Sequence, residues 1–555
     1  MLKCLFFSVI LLTSIFAQSG VDYEPWDWVT FKNVQLTNSI TEGNEYIYFG
    51  TNGGIMRYHL FGRYWDDPIT ESQGIAGENI IAVYFDFNTQ VLWASTSKGL
   101  NYSLDGGARW HLASADLLRM RPGEKIQRIG STSDYLWCVT RSQVMKVDRL
   151  SGFLISPYAT LPDKEITWGS AVNDGITDWR EVFDGYTATG GWIFHGNQLN
   201  GPNFEEVTIS TVFQDRFGDI WVGTFGGPVF YADPQMLTLE PLYFGPAQTN
   251  ATVLLHDASY LWMGGNSSNS NSSGITRFDY ERGYWDLFRK GKEIMFGSDQ
   301  ILSSIVIDEE IWFGTTSDIQ IFNKKKNSWY EVNESRSQLE GSVYSLAFDG
   351  DYVYAGSSYG IVKLNPSTRR KSSWEIGDAV RGSQIHELHF DGKSLWISWG
   401  VNNLWKWTSS RNELETFSDL PNSNDEYFNL VELHSRKIAI SSYGDDVYFG
   451  DEYGILIYNH SLDSWTRLKG AGRLVGHQFM DLEVTASPES GLHYLWAAFL
   501  GGVYLVNLEN FELTHISKKD GLPSNKVYAL TSSEDYIWFG TPSGLSLFDW
   551  KRYFE

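Results

Sequence analysis

His386, Glu387 and His389, in the run Gln-Ile-His-Glu-Leu-His-Phe-Asp-Gly, come nearest of all residues in this chain to a reactive cluster. Two zinc ligands on one helix turn would stand four residues apart, and these histidines stand three apart in a run that reads as a strand. On a strand His386 and His389 point to opposite faces, whereas Glu387 and His389 share one and could hold a ligand or ion beside an axial channel. The plainer expectation is that they are simply hydrogen-bonded. The carboxylate pairs Asp66-Asp67 and Asp445-Asp446 are expected in turns, as solvated caps. No phosphate loop, nucleophile elbow or Ser/His/Asp spacing of recognisable type is present in the sequence. No catalytic residue, metal ligand or cofactor is therefore assigned.

The elements that would position any site repeat along the chain. An apolar strand centred on an aromatic residue is followed by a small turn with Gly, then by a second apolar strand ending in Asp or Asn. Clear copies are Asp219–Asp233, Glu310–Asn323 and Tyr536–Asp549. The central ring falls at Tyr48, Trp93, Trp137, Trp221, Trp262, Trp312, Tyr354, Trp396, Tyr448, Trp496 and Trp538. Successive gaps run from 41 to 52 residues except for one of 84, between Trp137 and Trp221, which is twice 42. A twelfth, degenerate copy is thus expected between Asp163 and Glu206.

A period of about 40–45 residues without helical spacing is the mark of a propeller blade of four antiparallel strands. The expected fold is all-β, about 12 such blades in two rings of five to seven. Neighbouring blades cover both faces of each sheet, so the middle strands are apolar almost throughout and the motif rings are read as core. Outer strands are expected to open at Trp285, Trp329, Trp374 and Trp465. The last copy stops at Leu-Phe-Asp-Trp-Lys-Arg-Tyr-Phe-Glu, short of an outer strand, while Trp26–Asn33 near the start resembles one. Residues 27–33 are accordingly expected to complete a blade, the last one by preference, because closure removes exposed edges. Two layouts fit: propellers at 27–292 and 293–555, or one ring built from both chain ends with the other inserted.

Residues 1–18 read as a signal peptide, with Lys3, an apolar run from Leu5 to Phe16 and an exit near Ala17; the run is too short for a membrane span. A periplasmic or secreted location follows. Without those residues the net charge of −24 becomes −25, because Lys3 is lost. Such acidity, with no basic stripe, argues against nucleic acid and anionic membrane as partners. Cys138 is the one cysteine left, so no intrachain disulfide is possible and a small core residue is the reading. Lys324–Lys326 reads as a solvated hairpin tip.

The pattern apolar-Trp-apolar-Gly-Thr, turn residues, Gly and an apolar strand ending in Asp resembles the two-component regulator propeller repeat. In that family such repeats form the periplasmic sensor of hybrid histidine kinases. The resemblance implies a sensing role, but the sandwich, span and kinase that follow in the family do not follow Glu555 here, so the chain is not expected to signal across a membrane by itself. It is also similar, more weakly, to the propeller region of type IX secretion accessory proteins. Ser103-Leu-Asp105-Gly-Gly107-Ala-Arg-Trp110 resembles the Asp-box of sialidase-like propellers, which there is a folded turn and not a catalytic group.

In a rigid ring, function belongs to departures from the repeat. The drifted stretch 163–206 holds Trp168, Trp179, Trp192 and His195 outside the regular register, and is expected to offer an aromatic-lined contact for a glycan, peptide or envelope protein, with Glu387 and His389 as a second candidate pair. The competing expectation is an ordinary drifted blade. Asn266–Ser273 reads as a polar hairpin tip. The functional expectation is a non-enzymatic, exported ligand-binding, sensing or scaffold propeller at the bacterial envelope; a glycan-processing enzyme and a secretion accessory are the alternatives.

Overall fold

The structure, a computed structural model, describes residues 23–554 apart from 164, 173–178, 196–197, 203–204, 267–273, 290–297, 333–337, 401–402, 418–437, 452–453, 469–473 and 488–489. The expected signal peptide and most of the Asn266–Ser273 tip lie outside the described residues. Eleven sheets stand among them, each a propeller blade. Blade 1 covers residues 37–69, blade 2 82–114, blade 3 128–156, blade 4 206–242, blade 5 250–288 and blade 6 301–332. Blade 7 covers 343–364, blade 8 385–417, blade 9 439–467, blade 10 479–516 and blade 11 529–549.

The motif rings are the mortar between these sheets. All eleven are at most 4% exposed, so hydrophobic contact between neighbouring sheets accounts for them. The glycine two residues after the ring lets the next blade approach. A Cβ on Gly540 would lie 2.3 Å from the Ala251 carbonyl oxygen of blade 5, and one on Gly314 2.8 Å from that of Val343 in blade 7. Cys138 is fully buried in the seam of blades 2 and 3.

Inner-strand contacts connect blades 5, 6, 7, 8, 9, 10 and 11 in sequence, and blade 11 packs back on blade 5. The strand Trp28–Phe31, from the other end of the chain, supplies the outer strand of blade 11 in antiparallel register, Trp28 opposite Phe548 and Phe31 opposite Leu545. The Trp28 indole stacks on Phe548 with centroids 4.3 Å apart. Asp27 accepts from Arg552 Nη1 at 2.5 Å and from the Tyr553 hydroxyl, which ties the two termini beside that strand. Blades 3, 2, 1 and 4 form a second group, joined in that order. Ion pairs reinforce its seams: buried Arg149 clasps Asp86 with two bonds of 2.5 and 2.8 Å, and the exposed Arg216 reaches the buried Glu42 at 2.9 Å.

The expected twelfth blade forms no sheet of its own among the described residues. Thr167–Trp168 pairs with the inner strand of blade 3, and Ile193–His195 and Gln198–Asn200 extend blade 4 beyond its inner strand. The reason lies in side chains: Trp179, Phe183, Trp192 and Leu199 cover the face of blade 4 that a further blade would have covered. Ser170 then laces the group together, donating its amide to the Ile40 carbonyl, while its hydroxyl accepts from the Ile40 amide at 2.6 Å and the Thr211 hydroxyl at 2.9 Å. The second group therefore holds four sheets, below the expected five to seven. Another difference is at Trp374, which begins no strand. It precedes the short helix Glu375–Ala379, although its ring still docks on Tyr354 at 5.0 Å and Trp407 at 5.2 Å. Gly377 makes that substitution possible, because a Cβ there would come within 2.9 Å of the Ile361 carbonyl.

The Asp-box is the turn it was expected to be. Asp105 accepts from the Arg109 amide at 2.9 Å and the Ser103 hydroxyl at 2.8 Å, and Trp110 donates to the Gly107 carbonyl at 3.0 Å. Asp66 and Asp67, by contrast, sit in the outer strand Tyr64–Ile69 of blade 1, at a bulge between the pairs Arg57–Asp66 and Ile55–Ile69, and not in a turn.

Titratable groups also stand in the seams of the seven-blade circuit. His389 of blade 8 shares a 2.8 Å hydrogen bond with Ser442 of blade 9, and burial depresses its basicity to about 4, against an opposing pull from Asp391. Glu483 of blade 10 accepts from the Ser532 hydroxyl of blade 11 at 2.5 Å, yet burial pushes its carboxyl up to about 7.

Trp28→Ala should destabilise the protein by about 3–5 kcal/mol in denaturant unfolding, as for other buried Trp truncations; a near-neutral change would mean the strand does not close the circuit. The pH response has opposite signs at the two seams. The contribution of His389 is complete above its ordinary 6.5 and is lost as pH falls through about 4, whereas that of Glu483 is complete below 4.5 and lost as pH rises through about 7. Melting temperatures measured from pH 4 to 8 should thus show Glu483→Gln gaining on the parent protein as pH rises, and His389→Gln gaining on it as pH falls.

Candidate functional site

Two connections run between the blade groups, residues 32–36 and 243–249, and they lie side by side. The Asn33 side-chain amide donates to the Pro246 and Ala247 carbonyls, both at 2.8 Å. Phe244 wedges between the outer strands of blades 1 and 5, 5.0 Å from Trp65 and 5.7 Å from Trp285. Above this junction blades 1, 4 and 5 leave a cleft of about 540 Å³.

Its walls are aromatic. Trp221 lies between Tyr58, at 5.3 Å, and Tyr231, at 5.2 Å, while Phe61 and Phe217 meet edge to face at 6.1 Å across the rim. These last two belong to turns and are 65% and 60% exposed, unlike any ring of the repeat. The turn His59–Tyr64 is shaped by Arg63, whose φ of +55° places it in the left-handed region, and by a hydrogen bond from the Gly62 amide to His59 Nδ1. That conformation sets the Arg63 guanidinium 5.4 Å over the Tyr231 ring. The turn that presents Phe217 is organised by Asp215, which accepts from the amides of Phe217 and Asp219 and from the Trp221 indole at 2.9, 3.0 and 2.8 Å.

Polar groups are few and placed among the rings. Asp219 and Glu240 contribute carboxylates and Arg63 a cation. Burial raises the Asp219 carboxyl above its ordinary range, the Tyr231 hydrogen bond works against that, and the Asp215 charge adds to it. Tyr231 is in turn pushed up to about 12, by burial first and then by Asp219. Such a surface can stack a flat apolar face and hydrogen-bond its edges. Among the described residues no group of three or more His, Cys, Asp or Glu is arranged to hold a metal ion.

The residues singled out by sequence are scattered. Trp192 is 3% exposed, edge-on to Phe230 at 5.2 Å, and its indole donates to the Tyr243 hydroxyl at 3.1 Å. Tyr243 lines the cleft on one side and, with Trp192, a smaller cavity of about 270 Å³ on the other, so Trp192 stands one ring behind the cleft. Trp179 is buried against Phe183, Trp168 carries the Arg128 guanidinium at 4.5 Å, and His195 is exposed at the edge of blade 4. Glu387 and His389 do not converge: Glu387 accepts from Ser345 of blade 7 at 2.9 Å, while His389 turns to blade 9. His386 bonds the Gly400 carbonyl oxygen at 2.7 Å. The cleft rings were missed because Phe61 and Phe217 follow no repeat. The available signal was a large aromatic inside a hairpin turn, in His-Leu-Phe-Gly-Arg and Asp-Arg-Phe-Gly-Asp, where small polar residues are the rule.

No helix among the described residues is long and apolar enough to cross a membrane. No curated protein matches the chain. Among solved structures it is similar to the extracellular domain of BT3049 from B. thetaiotaomicron, assigned to a hybrid two component system, at 14% identity and TM-score 0.43 over 96% of this chain and 76% of that one. For the corresponding domain of BT4673 the values are 13% and 0.42, over 92% and 70%. PorZ, a surface component of the type-IX secretion system of Porphyromonas gingivalis, is similar at 12% identity and TM-score 0.37 over 94% and 87%. Residues 203–226, which include the ring Trp221 and the strand Ile220–Phe225 of blade 4, match the two component regulator propeller family. The chain is a β-propeller protein carrying the two component regulator propeller repeat.

Proposed function

We propose that this chain is a non-enzymatic, exported propeller that binds a carbohydrate in the cleft between blades 1, 4 and 5, and serves as a sensing or scaffold module at the bacterial envelope. The observation that carries the reading is the pairing of exposed turn aromatics, Phe61 and Phe217, with Arg63, Asp219 and Glu240 in one cleft of about 540 Å³. Sugars suit such a surface because their rings offer C–H faces to aromatic planes and hydroxyls to carboxylate and guanidinium edges. The drifted stretch contributes indirectly, through Trp192 and its hold on the Tyr243 hydroxyl at the cleft wall.

The domain division proposed with it follows both chain ends: residues 28–31 and blades 5–11 make one ring, and blades 1–4 are inserted after the first strand. Packing of blade 5 on blades 6 and 11 supports this layout over a boundary near 292.

A glycan array on the mature protein, followed by calorimetric titration of the best ligand, tests the assignment. Phe61→Ala and Phe217→Ala should each weaken binding about 3- to 10-fold, the equivalent of about 0.5–1.5 kcal/mol for a lost ring contact, with melting temperature held. Undiminished affinity in the double variant would remove the cleft from consideration. Release of reducing sugar from the bound glycan would replace the binding reading with the enzymatic one.

A further inference from the structure

A separate cavity of about 770 Å³ lies where blades 1, 5 and 11 meet. Its inner wall is aromatic: the Trp538 ring stands 6.3 Å from Phe278, at right angles, and 5.5 Å from Tyr280. Its charge is one-sided. Asp67, Glu281, Glu534 and Asp535 line it, and no lysine or arginine is among the described residues that do. His256 shares a 2.9 Å bond with the Tyr280 hydroxyl, and burial keeps its imidazole less basic than usual. Of the carboxylates, Asp535 is already bound by Lys551 at 2.8 Å, and Glu281 and Glu534 stand exposed at the rim.

Asp67 is different. The bulge in strand Tyr64–Ile69 takes it out of the ladder, with Asp66 opposite Arg57 and Ile69 opposite Ile55, and Pro68 follows. Its backbone is anchored, the amide to Asp66 Oδ1 at 2.8 Å and the carbonyl to Arg57 Nε at 2.7 Å. Arg57 also lies 3.6 Å from the Asp66 carboxylate. The Asp67 side chain, partly buried, lines the cavity; among the described residues it makes no hydrogen bond or ion pair to another side chain, and the Arg57 charge acts on it from beside Asp66.

We propose that this cavity binds an organic cation, an ammonium or guanidinium group on an apolar stem, with Asp67 as counter-ion and the Trp538, Phe278 and Tyr280 rings against the stem. A carboxylate partly withdrawn from water is costly to keep charged, and a cation brought to it offsets that cost. The ring faces add attraction for the same sign of charge. A bare metal ion fits less well, since the wall is mostly ring carbon, the Tyr280 hydroxyl is engaged with His256, and among the described residues the carboxylates do not form a coordinating group. Burial, and then the neighbouring Asp66, push the Asp67 carboxyl up to about 6 against the opposing pull of Arg57, so a further cation would still be favoured there. The site shares no residue with the aromatic cleft, so it stands or falls apart from the carbohydrate reading.

Calorimetric titration of the mature protein with cadaverine, with a blocked Ala-Arg-Ala peptide and with neutral N-acetyl-norleucine amide tests the proposal. Saturable one-to-one binding is expected for at least one cation and none for the neutral probe. The tighter of the two cations tells a free amine from a chain-borne basic side chain. Asp67→Asn should weaken binding at least tenfold while the unfolding transition is retained, and Glu281→Gln, on the exposed rim, should weaken it about 2- to 3-fold. If Asp67→Asn does not fold, Glu281→Gln decides. Failure of both cations, equal binding of the norleucine amide, displacement by calcium at matched concentration, or unchanged affinity in the deciding variant would overturn the assignment.

Discussion

Neighbouring sheets in this protein meet through apolar faces, so most sheets must be covered on both sides. That requirement, more than any hydrogen bond, dictates the architecture. A Trp such as Trp93, Trp262 or Trp538 has no partner among the described residues for its buried indole N–H, at a cost of about 1–3 kcal/mol. Burying the ring is worth an upper-bound of about 4–6 kcal/mol, from 150–250 Å² at 25 cal/mol/Å². The apolar term wins, and the indole is tolerated as a filler with one unsatisfied atom. An open row of such sheets would leave two faces bare; one blade group avoids that by closing, and the other covers the free face of blade 4 by different means.

The seven-blade circuit closes on itself. Its last seam depends on a strand from the far end of the chain and on Gly540, which lets the Ala251 backbone come close. The second group has only four sheets, and the drifted stretch stands in for a further one. Trp179, Phe183 and Trp192 shield blade 4, and Ser170 bonds to blades 1 and 4 from the end of a strand that begins on blade 3. Loss of the repeat pattern in 163–206 is therefore a change of means and not of purpose: side chains without a regular ladder still cover an apolar face.

This explains what could be read from residue order. The ring positions, their burial, the turn glycines and the terminal strand were legible, because each follows from period and polarity alone. Trp374 kept its place in the core while its strand was replaced by a helix, since ring packing and backbone path are only loosely coupled once Gly377 allows a close turn. The cleft was illegible for a different reason. Its members come from three blades, Phe61 and Phe217 from turns and Tyr284 from the start of an outer strand, and their convergence depends on how the two blade groups meet. Trp192 was noticed because it broke the pattern, yet its indole faces Phe230 and Tyr243, which makes it a support of the wall. The Asp66-Asp67 pair was expected in a turn because paired carboxylates usually cap turns; in place it sits at a bulge inside a strand, followed by Pro68.

One outer strand serves both cavities. In the turn just before it Arg63 leans over Tyr231 in the aromatic cleft, and four residues on Asp67 lines the acidic cavity. The strand can present opposite charges to two places because its ends are clamped differently: a left-handed residue tightens the turn before it, and a bulge interrupts its ladder midway. Blade 1 is itself held on both sides, by Trp65 and Phe244 against blade 5 and by the Arg216–Glu42 pair to blade 4. Rigid sheets thus hold side chains that no local segment could bring together, and the seam between the blade groups gathers rings and charges of both signs. Within a ring, neighbouring blades repeat one another and offer repeated groups; where two groups of blades meet, dissimilar turns face each other, and a pocket with several kinds of contact can form.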